Sequence, residues 1–214
     1  MINFSKDVIL EREELVKQGL EKSWPLVGIS LKQGILLVAL NPQLELIKKI
    51  VEIQNGIVLG AVGRAVEFEE LKKLLISEAY RIAHLYSVKD VEILDLSKFL
   101  SQALSQAFYD LRVKPLEVEI VLVEVGRVLE EDKIIKVRSD GTRRRVEKIF
   151  WLGGKAEIIG RNILGKYSEN LSLNEIEEIL KLEILKNTEL DKPPKFEIVF
   201  LERDSQKFLR RENR

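Results

Sequence analysis

At 214 residues, 45% of them hydrophobic and 33% charged, the chain has the make-up of a globular protein that can bury its own core without staples. Acidic and basic residues cancel at 35 each, which gives no electrostatic ground for binding nucleic acid or an anionic membrane. There is no cysteine and one histidine, His84, which excludes disulfides and zinc sites built from cysteine or several histidines.

The opening MINFSKDVILERE lacks the apolar core of a secretory leader. No run approaches the ~18 apolar residues of a spanning helix. The expectation is a cytoplasmic protein with no membrane partner. Residues Asp7–Lys22 place Val8, Ile9, Leu15, Val16 and Leu20 at helical spacing, after a short tail. Four strands are then predicted: Val27–Leu31, Ile35–Leu40, Lys49–Ile53 and Ile57–Val62. Asn55-Gly56 turns the last pair.

Two helices follow, Val66–Tyr86 and Leu96–Leu111, each with a continuous apolar stripe, and Asp95 stands as N-cap of the second. Strands return at Glu117–Val125, Lys133–Arg138 and Arg143–Trp151, with Asp140-Gly141 between the last two. A second helix pair, Ala156–Tyr167 and Leu173–Leu185, has a capping box in Ser172 and Glu175. DKPPK breaks the pattern. A strand, Phe196–Leu201, precedes a charged tail over 202–214.

Helices in pairs between runs of strands do not make a parallel sheet. They fit an α+β fold in which two antiparallel sheets pack together with helix pairs outside, as one domain over 1–214.

The chemical motifs mostly fail. GRNILGK, Gly160–Lys166, has the spacing of a phosphate loop, but Tyr167 replaces the magnesium-binding hydroxyl and the stretch lies inside a predicted helix. Close helix packing explains its glycines. His84 has no partner for metal or catalysis. Arg143–Arg145 reads as a solvated strand edge. Glu67, Glu69 and Glu70 complement a helix N-terminus without any metal. No cofactor is expected.

Several longer segments carry a resemblance. EREELVKQGLEKS, GILLVALNP, KIVEIQNGIVLGAVGRAVEFEELKK and KPLEVEIVLVEVG together resemble proteasome subunits, and the bacterial α type most closely. Weaker likeness continues through SDG, WLGG and KYSENLSLNEI. The resemblance implies a four-layer αββα sandwich with an extra N-terminal helix over 8–22 that contacts a neighbour in the ring.

Proteasome β subunits are N-terminal threonine hydrolases, and α subunits keep the sandwich without the catalysis. Set against that pattern, Trp24 stands where the threonine belongs, with Pro25 directly after it. Leu40 falls where an acidic residue pairs with the catalytic lysine, and Gly154 where a serine supports the site. Lys49 and Gly63 remain at the lysine and oxyanion-glycine positions. Indole cannot act as the nucleophile. The resemblance therefore implies a non-catalytic subunit, and a stand-alone hydrolase or a scaffold without proteolytic partner are the alternatives.

In α subunits the matching lysine lines a pocket that takes the C-terminal carboxylate of a docking activator, a charge-assisted mode of terminal-carboxylate capture. The resemblance assigns that pocket to Lys49, Gly63, Arg64 and Glu14, with backbone N–H groups of Gly63 and Arg64 meeting the peptide. Read from the residues alone, Lys49 beside Lys48 is an exposed strand lysine. The resemblance makes Met1, Ile2, Asn3, Phe4 and Ser5 the pore gate, within a tail over 1–7, and lets the loop Asn41–Ile47 narrow the channel. Its implied partners are a homo-heptameric α ring, proteasome β subunits, an ATPase or ATP-independent activator, and unfolded protein substrates.

Overall fold

The computed structural model describes residues 6–54, 56–168, 171–190 and 193–211. Helix α1 spans Lys6–Glu21. The strands β1 (Leu26–Leu31), β2 (Gly34–Leu40), β3 (Ile50–Gln54) and β4 (Ile57–Gly63) follow, then helices α2 (Ala65–Leu85) and α3 (Ile93–Tyr109). After them come β5 (Val118–Glu124), β6 (Lys133–Val137), β7 (Arg143–Val146) and β8 (Ile149–Leu152). Helices α4 (Ala156–Lys166) and α5 (Leu173–Lys186) lead to β9 (Phe196–Glu202) and β10 (Phe208–Arg211). Gate residues Met1 to Ser5 and the turn residue Asn55 lie outside the described residues.

The strands form two antiparallel five-stranded sheets, ordered β10-β9-β2-β1-β8 and β3-β4-β5-β6-β7. Strand alternation assigns each side chain to a layer. Ile35, Leu37 and Ala39 of β2 meet Val58, Val62, Val121 and Val123 of the other sheet in a core between the sheets. Leu36, Val38 and Leu40 point the opposite way, onto Ile159 and Ile163 of α4 and Ile176, Leu180 and Ile184 of α5. Leu59, Ala61, Ile120 and Leu122 pack outward on Phe68, Leu71 and Leu75 of α2 and Leu96, Leu100 and Leu104 of α3. The result is the expected four-layer α+β sandwich.

Helix α1 packs against β4 and β5. Val16 is buried, and Arg12 Nη2 donates to Ala107 O at 3.1 Å, which fixes the helix to the end of α3. The predicted strand Arg143–Trp151 is two strands. Its first half pairs with β6 and its second with β1, so the chain crosses between sheets at Glu147-Lys148. Helix α3 starts two residues before Asp95, with Glu92 at the cap position, and Asp95 instead pairs with Lys98 at 2.8 Å in the first turn. The capping box forms as expected: Ser172 Oγ accepts from Glu175 N at 3.3 Å, and Glu175 Oε2 accepts from Ser172 N at 2.8 Å. Part of the charged tail is ordered as β10, paired with β9.

Candidate functional site

The site lies where β1 and β2 end together. Leu40 N donates to Pro25 O at 3.0 Å, and just beyond this last rung the carbonyls of Trp24 and Leu40 face Lys49. Lys49 immediately precedes β3, and its Nζ donates to both oxygens at 3.0 Å. Lys48, one residue earlier, turns the other way and donates to Leu44 O at 2.8 Å. The Lys49 side chain is half-buried overall, with its ammonium end enclosed. That burial pushes its pKa down to about 7, against the opposing pull of the Glu197 carboxylate.

These groups border a cleft of about 300 Å³, whose walls include Ser23, Trp24, Ile47, Val62, Gly63 and Phe68. A mixed lining, with Lys22, Ser23, Asn41 and Gln43 beside the apolar residues and no acidic side chain, suits an organic anion better than a metal. Among the described residues no cluster of His, Cys, Asp and Glu could hold a metal ion.

Gly63 closes β4 at φ +110°, and a Cβ there would lie 1.9 Å from Glu117 O. The position admits only glycine for both reasons. The Arg64 N–H donates to that same Glu117 O at 3.1 Å, so it is already engaged. The Arg64 guanidinium pairs with Glu67 at 3.6 Å and does not line the cleft, whereas its neighbours Gly63 and Ala65 do. Glu14 is not at the cleft within one chain. It lines a separate groove of about 1120 Å³ along α1, where Gln18 Nε2 donates to it at 3.2 Å.

The head of β1 carries no free nucleophile. Ser23 is the hydroxyl nearest to it in sequence, but its Oγ donates to Leu20 O at 2.6 Å, which closes the end of α1. Trp24 packs against the α4–α5 core. The Leu40 side chain is buried in that same core, so only its carbonyl reaches the ammonium. Gly154 N donates to Ser23 O at 3.2 Å, and a Cβ at Gly154 would lie 2.2 Å from Glu21 O. A serine at this position would collide with the main chain.

The discarded motifs have structural roles. Gly160 lets α4 approach Trp151, whose ring a Cβ would meet at 2.2 Å. Lys166 pairs with Glu183. Arg143, Arg144 and Arg145 are exposed on edge strand β7, and His84 is exposed in the last turn of α2.

Sequence reasoning missed Glu197 and Arg210. Glu197 accepts from Lys49 N at 2.8 Å and from Arg210 Nη1 at 2.7 Å. The available signal was strand alternation: Val199 and Leu201 place Glu197 on the face between the sheets, where a charge is out of place.

Fold and cleft together define a class, a two-sheet sandwich of proteasome type whose first strand is headed by Trp24-Pro25 and not by a hydroxyl or thiol. A family model described as proteasome subunit matches residues 20–200. The chain is 32% identical over 169 residues to a protein named proteasome subunit alpha from Saccharomonospora viridis, covering 78% of this chain and 66% of that one. It is 31% identical to the protein of that name from Acidothermus cellulolyticus, covering 79% and 72%. With the one from Streptosporangium roseum it shares 34% identity, covering 77% and 63%. The chain belongs to the proteasome subunit family, among the α subunits. It spans about two thirds of the length of these relatives. No helix among the described residues is long and apolar enough to cross a membrane.

Proposed function

We propose that the chain is a non-catalytic α subunit of a proteasome core particle. Copies would form a homo-heptameric outer ring that closes on itself through a head-to-tail interface. The ring would admit unfolded chains through a gate formed by Met1 to Ser5, template the β ring, and dock an ATPase or ATP-independent activator. Peptide hydrolysis would belong to the β subunits, and the location would be the cytoplasm.

One observation carries this reading. The lysine that activates a hydroxyl in catalytic relatives here donates to two main-chain carbonyls, and the one hydroxyl side chain in the cleft lining, Ser23, donates to Leu20 O. In the protonated form two of its three N–H donors are spent on those oxygens, and the third would be left for a group in the cleft. An incoming carboxylate would restore the proton that burial weakens, with a short charge-assisted bond. Glu14, on a different groove of the same chain, would join the pocket only from a neighbouring copy.

Co-expression with a β-type proteasome subunit, followed by sizing and electron microscopy, tests the reading. It predicts stacked seven-membered rings and no peptidase activity from this chain alone. Robust peptide turnover by the isolated chain would contradict it, and absence of rings with any β subunit would favour a scaffold without proteolytic partner.

A further inference from the structure

Glu197 is a carboxylate in an apolar layer. Phe196, Ile198 and Phe200 of β9 face the α4–α5 helices, whereas Val199 and Leu201 face the opposite sheet, and Glu197 shares their side. It is 2% exposed. Four donors surround it: Lys49 N at 2.8 Å, Ile50 N at 3.2 Å, Asn41 Nδ2 at 2.9 Å and Arg210 Nη1 at 2.7 Å. The cost of burying a charge is met only when its lone pairs are filled and a cation is close, and both conditions hold here.

What this arrangement fixes is specific. Arg210 lies on β10, the edge of one sheet, and its Nη2 donates to Ile50 O at 2.7 Å on β3, the edge of the other. One guanidinium thus joins the two edges beside Lys49. Asn41 also donates to Ile47 O at 2.8 Å, so Glu197 holds both ends of the loop that borders the cleft.

We propose, resting on the docking role given to Lys49 above, that Glu197 and Arg210 are positioning residues for carboxylate capture, so that the last strand of the chain sets how the cleft presents its ammonium. Neither touches the ligand. Glu197 pins the Lys49 main chain and its negative charge keeps the ammonium protonated against burial. Arg210 anchors Glu197 and moderates that charge. Lys22 is the other charged residue lining the cleft, and Lys48, the Arg64–Glu67 pair and the Lys195–Glu45 pair lie on the segments that adjoin it. None of them is altered in the test.

The test measures binding of short rhodamine-labelled peptides with apolar last residues, as free acids and as amides, to the full chain in its native assembly from pH 6 to 9. Acid-specific binding by the wild type should weaken as pH rises. Glu197→Gln keeps an acceptor but removes the charge, so its midpoint should move down by about one pH unit, a loss of about tenfold on the falling limb. Arg210→Gln should lower the plateau affinity severalfold and move the midpoint up, and Arg210→Lys should restore both. Arg210 is partly exposed, so its variants keep the test alive even where Glu197→Gln fails to fold. Folded variants with wild-type plateau and midpoint, alongside a Lys49→Ala variant that loses acid-specific binding, would overturn the positioning role alone. Acid-specific binding that survives Lys49→Ala, or that the wild type never shows, would overturn the docking role and this inference with it.

Discussion

The Lys49 ammonium lies 3.0 Å from the carbonyl oxygen of Trp24, the residue at the head of the first strand. Trp24 offers this lysine a main-chain acceptor and no side-chain hydroxyl, and Leu40 O takes a second of its hydrogen bonds.

The first concerns pH and stability. In the folded chain Lys49 loses its proton near pH 7, and in the unfolded chain near a normal lysine value of roughly 10.4. Between these values the unfolded state binds more protons, so stability rises with pH there. The penalty for holding the charge is fully present below about pH 7. Relative to Lys49→Met, the wild type should gain stability from pH 7 to 9.5, by at most about 1.4 kcal/mol per unit, and run parallel below pH 6.5. Urea unfolding across that range checks it, and parallel profiles throughout would contradict it.

Two glycines should respond in opposite ways. Gly63→Ala drives a Cβ into Glu117 O at a positive φ, and should cost roughly 3 kcal/mol or more while deforming the cleft wall. Gly165 near the end of α4 has nothing within 4 Å of a built Cβ, so Gly165→Ala should stabilise by about 0.5 kcal/mol. Thermal melts of the two variants separate these outcomes.

At the other end of the sandwich, Arg203 and Asp132 form a buried pair. Arg203 Nη1 and Nη2 donate to the two carboxylate oxygens at 2.6 and 2.9 Å. Its other three N–H groups reach four carbonyls: Nε donates to Lys32 O, Nη2 to Leu31 O, and Nη1 shares its hydrogens among Asp132, Gly126 O and Val128 O. Arg203→Met strands the Asp132 charge and should cost about 3–5 kcal/mol, and adding Asp132→Leu should recover part of that. Denaturant titration of the single and double variants measures it. A single variant within 1 kcal/mol of wild type would contradict the role given to the pair.

The elements were legible where the local pattern is strong: the stripes of α2 and α3 and the unbroken apolar run of β2, buried on both faces, follow directly from local sequence. The break between β7 and β8 was not, because Arg143–Trp151 reads as one extended run. Only tertiary pairing shows the chain leaving one sheet for the other at Glu147-Lys148. Lys49 could not be told from Lys48 by composition, since strand direction alone decides which of the two turns inward; family resemblance singled it out. Glu197 interrupted the otherwise apolar run Phe196–Leu201, but its partner Arg210 comes from a tail that looked merely charged. Their meeting depends on how the sheet edges stack, which no local pattern encodes.

The central claim is that the Lys49 cleft captures a partner's terminal carboxylate. The most direct measurement is activator-stimulated proteolysis by particles assembled with a β subunit, comparing wild type with Lys49→Ala. The account predicts intact rings, unchanged basal peptide hydrolysis by the β subunits, and loss of activator docking and stimulation in the variant. Stimulation of Lys49→Ala particles equal to wild type would contradict it.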